Sequence, residues 1–344
     1  MLRNIVFILI VIVSLSYAGT SFTALPIFFS SPDTGLGLGA KTEYRTTITG
    51  NNFINYSVMA YETQMKQSAL GLGFDTRYER YRIIGSLGFF NDLNYFYGIG
   101  PDSHWRNQEK YSETTAQASL SVLVTLNENT FIGPILDERR YRPTEFEKDK
   151  TLQTKTVPGS NGFLANGIGG QIIIDQRDQD LSPHQGSYFQ VKAINYGKLT
   201  STDYQFLKTF LDYRVYTDLG EDHVLASQVY ATSSTGEEIP FQLLPAVGGD
   251  VLRGYYAQRW IDRNSFLIQT EYRKPLTTDV VGAVFVGAGQ VAYNFQEMKF
   301  GQMETSFGAV LRYWLNKAER ICVRLDVTYA QGDRAFYLDI HEAF

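Results

Sequence analysis

The sequence predicts an all-β protein, a transmembrane antiparallel β-barrel of about sixteen strands. Three observations predict this fold. Apolar and polar residues alternate in many runs of roughly ten residues, aromatic residues make up 14% of the chain, and the N-terminus has the pattern of an export signal. Alternation gives each strand one apolar face for lipid and one polar face for the barrel interior. A soluble β-sandwich alternates in the same way, so the aromatic content and the signal favour the barrel.

Residues 1–18 predict a cleaved secretory signal peptide. Arg3 provides a positive start, residues 5–13 form a short apolar core, and small residues stand at the cleavage positions. The mature chain, 19–344, is then a single outer-membrane β-barrel domain. We expect it to be exported through the periplasm, assembled by the cell's own barrel-assembly machinery, and placed in the outer membrane of a bacterium with two membranes.

The alternating runs are separated by polar turns, and their boundaries carry an error of about 2–4 residues. The predicted strands are 23–31, 36–47, 53–63, 66–75, 80–91, 112–125, 129–142, 162–175, 187–197, 204–218, 222–233, 264–275, 280–293, 302–315, 320–330 and 335–344. An even count is what a closed bacterial barrel normally requires. Pro134 falls inside a predicted strand, and because proline donates no backbone hydrogen bond, we expect a bulge or a displaced boundary there.

The lengths of the loops predict how the barrel is oriented in the outer membrane. If both ends lie in the periplasm, the longest connections, 92–111, 143–161 and 234–263, all fall on the external side, as in bacterial barrels. The last of these is the sixth external loop, and we expect it to fold into the lumen. It contains the stretch Gly248-Gly-Asp-Val-Leu-Arg-Gly-Tyr255, and the strand after it carries Glu271 on its polar face.

An arginine on this glycine-hinged loop can reach Glu271 if the loop folds back into the barrel. A solvated loop arginine is the alternative interpretation. Exchanging the two charges, Arg253→Glu with Glu271→Arg, is expected to restore much of the defect of either single change.

The C-terminus predicts a closing strand with an apolar outward face. Phe336, Leu338, Ile340 and Phe344 share this face, which is interrupted only by Glu342. We interpret these apolar residues as a C-terminal strand signal.

Four stretches, taken in order, resemble the BamA/TamA family of outer-membrane assembly barrels, also called the bacterial surface-antigen family. They are the turn Asp175-Gln176-Arg177-Asp178 with Pro183 and Gly186, the sixth-loop motif Arg253-Gly254-Tyr255, the late strand Phe285-Val-Gly-Ala-Gly-Gln-Val291, and the closing strands from Leu311 to Phe344. The turn is also well explained by ordinary turn chemistry, since Asp, Pro and Gly favour turns.

The resemblance implies that Arg253, Gly254 and Tyr255 anchor the sixth loop in the lumen. The family's late-strand acidic residue is Gly287 here, which leaves Glu271 as the expected chief partner of Arg253. Family members that insert proteins carry periplasmic POTRA repeats before the barrel, and this sequence predicts a barrel-only member that lacks them.

Three function hypotheses remain open. The resemblance implies a role in inserting membrane proteins or lipids at a weak seam between the first and last strands, with outer-membrane lipid and unfolded outer-membrane proteins as partners. A channel or passive porin gated by the 234–263 loop is the second hypothesis, and a structural surface protein is the third.

Other function classes find little support in the sequence. The net charge of -5 argues against a nucleic-acid partner. The scattered histidines and the single cysteine, Cys322, predict neither a metal site nor a disulfide, and no motif suggests a cofactor. Ser187 with His184, or His223 with Asp222, would be the candidate catalytic pairs, but they are only sequence neighbours. We therefore do not expect an enzyme.

Overall fold

The computed structural model describes residues 13–17, 20–31, 35–48, 52–197, 200, 202–249, 251–317, 321–330, 333–340, 342 and 344. Within these residues no helix is long and apolar enough to cross a bilayer. The first strands are β1 (Val13–Tyr17), β2 (Thr20–Ser31), β3 (Gly35–Thr47), β4 (Phe53–Thr63), β5 (Ser68–Tyr78), β6 (Tyr81–Phe96), β7 (Glu109–Asn127), β8 (Thr130–Phe146), β9 (Phe163–Asp175) and β10 (Gly186–Tyr196). They are followed by β11 (Phe206–Asp218), β12 (Val224–Gly236), β13 (Ala246–Val247), β14 (Trp260–Ile261), β15 (Asn264–Pro275), β16 (Val280–Ala292), β17 (Glu304–Asn316), β18 (Ile321–Ala330) and β19 (Asp333–Ile340).

The wall of the barrel is one antiparallel sheet whose order follows the chain. Each strand from β2 to β12 lies beside the next, β12 lies beside β15, and the order then runs to β19, which lies beside β2. The order therefore returns on itself through sixteen wall strands among the described residues. These correspond one to one with the predicted strands, so the predicted fold is confirmed.

Side chains alternate between the lipid side and the lumen, as the period-two pattern predicted. On β7, Leu120 and Val122 are each 38% exposed, whereas their neighbour Leu123 is 0% exposed. On β6, Tyr81 and Phe89 both face outward and are about half exposed. They lie roughly 27 Å apart along the strand, which suits two aromatic girdles on either side of a tilted apolar band.

Pro134 interrupts a ladder without adding a residue. β7 and β8 pair at Ser121 with Ile135 and again at Val124 with Ile132, so the register is the same on both sides of the gap. Since β8 also runs unbroken from Thr130 to Phe146, the expectation of a bulge or a displaced boundary at Pro134 is wrong. Register shifts on β7 occur elsewhere, between residues 112 and 113 and between 125 and 127.

The N-terminal residues that the structure describes pair with the wall. Val13–Tyr17 forms β1, which pairs with Thr20–Ala24 of β2. This segment falls inside the predicted signal peptide, whose residues 1–12 and 18 lie outside the described part of the chain. The signal peptide stays a prediction.

The C-terminal segment corrects one prediction. Phe336 on β19 is 55% exposed, but Phe344 is only 6% exposed and packs against Tyr216 and Val224. The strand ends at Ile340, so the alternation of faces no longer applies to the residues after it. The prediction that Phe344 shares the outward face with Phe336 is wrong. The side chains of Leu338 and Ile340 lie outside the described residues.

The external end of the lumen is covered by packed apolar side chains. Leu152 of the β8–β9 loop and Phe241 of the β12–β15 loop are each 1% exposed and belong to one cluster with Tyr111 of β7. Beside this cluster, the Arg259 guanidinium lies 4.6 Å from the ring of Trp105 in the β6–β7 loop. The longest loops therefore pack on one another rather than extending into solvent.

Candidate functional site

The sixth external loop, 237–263, lies against the inner wall of the barrel. Val247, Leu252 and Tyr255 of this loop are each at most 2% exposed. They pack in one apolar cluster with Leu267 of β15 and Ala330 of β18. Burial of these apolar side chains holds the loop inside the lumen, and this is where the sequence predicted it.

Arg253 extends from this loop to carboxylates on two wall strands. Its Nη1 donates to Oδ2 of Asp326 at 2.7 Å, and its Nη2 donates to Oε2 of Glu271 at 3.3 Å. The arginine side chain is 3% exposed and both carboxylates are 0% exposed. One planar guanidinium thus connects the loop to β18 and to β15, a geometry that a lysine would not reproduce.

The shorter of these contacts is the one that sequence reasoning missed. Glu271 was expected to be the chief partner of Arg253, but Asp326 is closer. Asp326 appeared in the sequence only as one of several polar residues on β18. Asp326 and Arg253 are 73 positions apart, and no pattern in the sequence indicates that their side chains are in contact.

Glu271 is instead shared among three arginines. Its Oε1 accepts from Nη2 of Arg312 at 2.6 Å and from Nε of Arg273 at 2.8 Å, while its Oε2 faces Arg253. A carboxylate has enough lone-pair sites for several such charge-assisted contacts. Glu271 is therefore the central anion of the site.

A third carboxylate enters from the end of the chain. Oε2 of Glu342 lies 2.8 Å from Nη2 of Arg312 and 3.4 Å from Nη2 of Arg273. The sequence predicted Glu342 as an interruption of an outward apolar face, and the structure places it in the lumen because the chain leaves the wall after β19. Arg324 completes the set through a 3.0 Å contact of its Nε with Oδ1 of Asp326.

We call this set the lumen charge cluster. Its members share side-chain exposures of 9% or less. They are Arg253, Arg273, Arg312, Arg324, Glu271, Asp326 and Glu342. Four arginines face three carboxylates, so one positive charge is in excess within the cluster. Removing charges from water is costly unless every one of them is paired, and in this cluster each carboxylate contacts at least two arginines.

The late-strand motif supplies an aromatic surface for Arg253 and space for the loop. The centre of the Arg253 guanidinium lies 3.6 Å from the centroid of the Phe285 ring, a cation–π contact. A Cβ added at Gly287 would lie only 3.0 Å from Cδ1 of Leu252. Gly287 therefore leaves room for the loop to pack. The second carboxylate that contacts Arg253 comes from Asp326 of β18 and not from position 287.

The residues after Arg253 fix the direction of the loop. Gly254 has φ of +106°, a conformation that disfavours other residues, and its N–H donates to Oη of Tyr337 at 2.8 Å. Oη of Tyr255 donates to the carbonyl oxygen of Thr305 at 2.7 Å. These contacts join the loop to β19 and β17.

The turn between β9 and β10 is held by its own side chains. Arg177 donates to both oxygens of Asp175, at 2.8 and 2.7 Å, in a bidentate pair. Oδ1 of Asp178 accepts from the backbone N–H groups of His184, at 3.0 Å, and Gln185, at 3.4 Å. These bonds are those of a structural turn.

The same turn reaches the lumen charge cluster. Gly186 has φ of +105°, and a Cβ there would collide with the carbonyl oxygen of Gln176. Buried Pro183 follows Ser182, whose Oγ donates to Oε1 of Glu342 at 2.8 Å. The turn therefore supports the carboxylate that the end of the chain brings into the lumen.

The residues considered as catalytic pairs have other partners. Oγ of Ser187 donates to Oε1 of Gln176 at 3.3 Å, and Nδ1 of His223 lies 2.8 Å from Oη of Tyr272. Ser187 and His223 therefore each contact a residue outside the pair considered for them.

A Gly287→Asp variant tests whether the glycine is needed for loop packing. Restoring the acidic residue at this family position is expected to destabilise the protein by about 1–3 kcal/mol, since the new side chain overpacks against Leu252. The urea midpoint should fall, and chymotrypsin should cleave the loop faster. Adding Leu252→Ala should recover part of the loss, and Gly301→Asp, which meets no atom within 4 Å, is the matched control. A Gly287→Asp protein more stable than the wild type would contradict this account.

Comparisons with known proteins agree with this architecture. A model of the Omp85 superfamily domain matches residues 36–335. No curated protein shows a significant match to the sequence.

Three solved structures show similar folds. They are BamA from Haemophilus ducreyi lacking POTRA domains 1–3 (TM-score 0.65, 11% identity), CdiB from Escherichia coli (0.64, 12%) and CdiB from Acinetobacter baumannii (0.61, 12%). In the same order, the alignments cover 96%, 96% and 94% of this chain and 75%, 67% and 60% of the other chains. At these identities the likeness shows the fold.

Proposed function

This chain belongs to the Omp85 superfamily, and from that membership we propose that it helps to insert membrane proteins at the seam where its first and last wall strands meet. The resemblance to BamA/TamA-type barrels that the sequence motifs predicted is confirmed. As an Omp85 barrel, the protein resides in the bacterial outer membrane. Cleavage of residues 1–18 as an export signal is part of the proposal.

The observation that carries the proposal is that two strands, β19 and β1, share one edge of β2. β19 has eight residues and β2 has twelve, so β19 is too short to pair along the whole of β2. The edge at Thr20–Ala24 is paired by Val13–Tyr17 instead. Removal of the signal takes this partner away and leaves backbone N–H and C=O groups of β2 without a strand beside them.

An unpaired strand edge is a template for an incoming strand. Backbone hydrogen bonds to such an edge give β-augmentation, which needs no particular client sequence. Pro26 in the middle of β2 donates no backbone hydrogen bond, and proline within a sheet is typical of edge strands. The lumen charge cluster would keep the sixth loop in place while the seam opens.

The test compares three versions of the barrel in liposomes. They are 19–344, 13–344, and 13–344 with Leu15→Pro, a change that prevents β1 from pairing because proline lacks the N–H. A urea-denatured small barrel protein is added, and its folding is followed by heat-modifiable gel mobility. We expect 19–344 to accelerate folding, 13–344 to do so several-fold less, and the Leu15→Pro version to regain the rate of 19–344. Equal rates in all three and in protein-free vesicles would contradict the proposal.

Conductance separates this function from a gated channel. Loop 237–263 occupies the lumen, and the packed external loops cover its outer end, so a pore would require the loop to leave. We expect little steady conductance from the wild type in planar bilayers and more from Arg253→Ala. Steady wild-type conductance together with no client folding would favour the channel hypothesis instead.

A further inference from the structure

We propose that the outer wall carries a binding site for a phosphorylated lipid of the external leaflet, formed by Arg140 and Arg142 of β8 above an apolar groove. The groove has a volume of about 550 Å³ and spans β5 to β8. Both arginines are on the exposed, outward-facing side of β8. The proposal concerns a surface remote from the loop anchor and does not depend on the seam.

The register of four strands builds the groove as two rows. Leu70 pairs with Phe89, Phe89 with Ala116, and Ala116 with Arg140. On the external side of this row, a second row is formed by Ser68, Asn91, Thr114 and Arg142. The first row is apolar up to its arginine, and the second is polar throughout.

These rows mark the external boundary of the apolar band. Along β6 the outward residues change from Phe89 to Asn91, and along β7 they change from Ala116 to Thr114. A lipid headgroup lies at this level, with its acyl chains directed toward the apolar row. The small side chain of Ala116 leaves the depression between the Phe89 ring and Arg140 into which an acyl chain fits.

The two arginines differ from those that face the lumen. Arg139, which directly precedes Arg140 and lies on the opposite face of β8, has Asp137 at 2.9 Å, and Arg82 on β6 has Asp75 at 2.7 Å. Among the described residues, no carboxylate lies within ion-pairing distance of Arg140 or Arg142. Arg140 and Arg142 therefore present two positive charges on this face, against the one negative charge of Glu138, the exposed outward residue two positions before Arg140.

A phosphate is the anion that suits this arrangement. Guanidinium groups bind phosphate oxygens in bidentate fashion, and basic pockets on membrane proteins recognise phosphorylated headgroups. The Asn91 amide in the polar row is a further donor, while the Thr114 hydroxyl donates to the carbonyl oxygen of Arg142 at 3.5 Å. The groove binds the acyl chain and the arginines bind the phosphate, so neither part of the lipid alone satisfies the site.

The experiment measures lipid retention by native mass spectrometry of the full-length barrel in detergent. The probes are a diphosphorylated, acylated glucosamine disaccharide, the same lipid without phosphates, and inorganic phosphate as a competitor. We expect wild type to retain the phosphorylated lipid and the Arg140→Gln, Arg142→Gln double variant to retain it about tenfold less, since each arginine contributes charge-assisted hydrogen bonds. Arg106→Gln, an exposed arginine of an external loop, is the matched control.

A second variant keeps the charges and removes the space. Ala116→Leu fills the groove beside both arginines, and it should also lower retention of the phosphorylated lipid. Heat-modifiable mobility shows whether each variant is folded. Equal retention of phosphorylated and dephosphorylated lipid by wild type, unchanged retention in the double variant, or displacement of the lipid by inorganic phosphate would each overturn the proposal.

Discussion

Arg253→Ala is expected to free the sixth loop from the lumen while leaving the barrel wall folded. The change removes the 2.7 Å hydrogen bond to Asp326 and the longer, 3.3 Å contact with Glu271. One strong hydrogen bond to a charged group contributes about 2 kcal/mol. Both carboxylates keep other arginines, Arg324 for Asp326 and Arg312 for Glu271. The loss should therefore appear in loop attachment more than in global unfolding.

Chymotrypsin added from outside reports this directly. In the wild type, Tyr255 is 2% exposed and Trp260 is 3% exposed, so both cleavage sites are protected. A loss of about 2 kcal/mol in attachment raises the open population roughly 30-fold, and cleavage should rise with it. Arg253→Lys should be intermediate, because an ammonium lacks the planar fork, and Arg106→Ala should match the wild type. Unchanged cleavage in Arg253→Ala would show that apolar packing alone holds the loop.

The lumen charge cluster also changes the expected outcome of a charge exchange. For an isolated pair, Arg253→Glu with Glu271→Arg should restore much of either single defect. Glu271 contacts Arg273 and Arg312 as well, so an arginine at position 271 would lie among like charges. We now expect the exchanged double variant to be worse than either single change. A double-mutant cycle between Arg253→Ala and Asp326→Ala is the cleaner measurement of coupling.

The fold could be predicted from the sequence because the bilayer imposes a local pattern. A strand with lipid on one side must alternate, and each of the sixteen wall strands carries that signal in its own residues. The glycine-hinged loop with Arg253 was predictable for a similar reason, since its motif is contiguous. Phe344 was placed wrongly because the alternation of apolar residues continues in the sequence after β19 ends. In the structure the ring of Phe344 is buried against Tyr216 and Val224 instead.

The composition of the site was less predictable because it depends on which lumen residues meet across the barrel. Alternation says that Asp326 and Arg312 face inward, but it does not say what they face. That depends on strand tilt and stagger, which are properties of the closed wall. Asp326 and Arg253 are 73 positions apart and meet only because the loop crosses the lumen. Glu342 could not be placed from the sequence, since it follows the last wall strand.

The largest loss of stability is expected from Glu271→Gln. Glu271 is 0% exposed and contacts Arg253, Arg273 and Arg312. Neutralising it leaves two carboxylates, on Asp326 and Glu342, for four buried arginines. Removing one partner of a buried ion pair costs about 3–5 kcal/mol. Here the residue that is neutralised is the partner of three arginines. The urea midpoint of the folded barrel, followed by heat-modifiable mobility, should fall with no change in the slope of the transition.

Neutralising Arg312 in the Glu271→Gln variant shows whether that variant is destabilised by its excess positive charge or by the altered side-chain packing. Arg312→Gln added to Glu271→Gln returns the cluster to one excess positive charge, and Glu342 keeps Arg273 as a partner. The double variant should therefore be more stable than Glu271→Gln alone, with a coupling of about 1–3 kcal/mol, as expected for residues in direct contact. Arg82→Gln in the same background is the control, because Arg82 pairs with Asp75 outside the cluster and its effect should simply add. If the effects of Arg312→Gln and Glu271→Gln on the free energy of unfolding also simply add, the two residues are not coupled energetically. The cluster is then held by the packing around it instead of by charge.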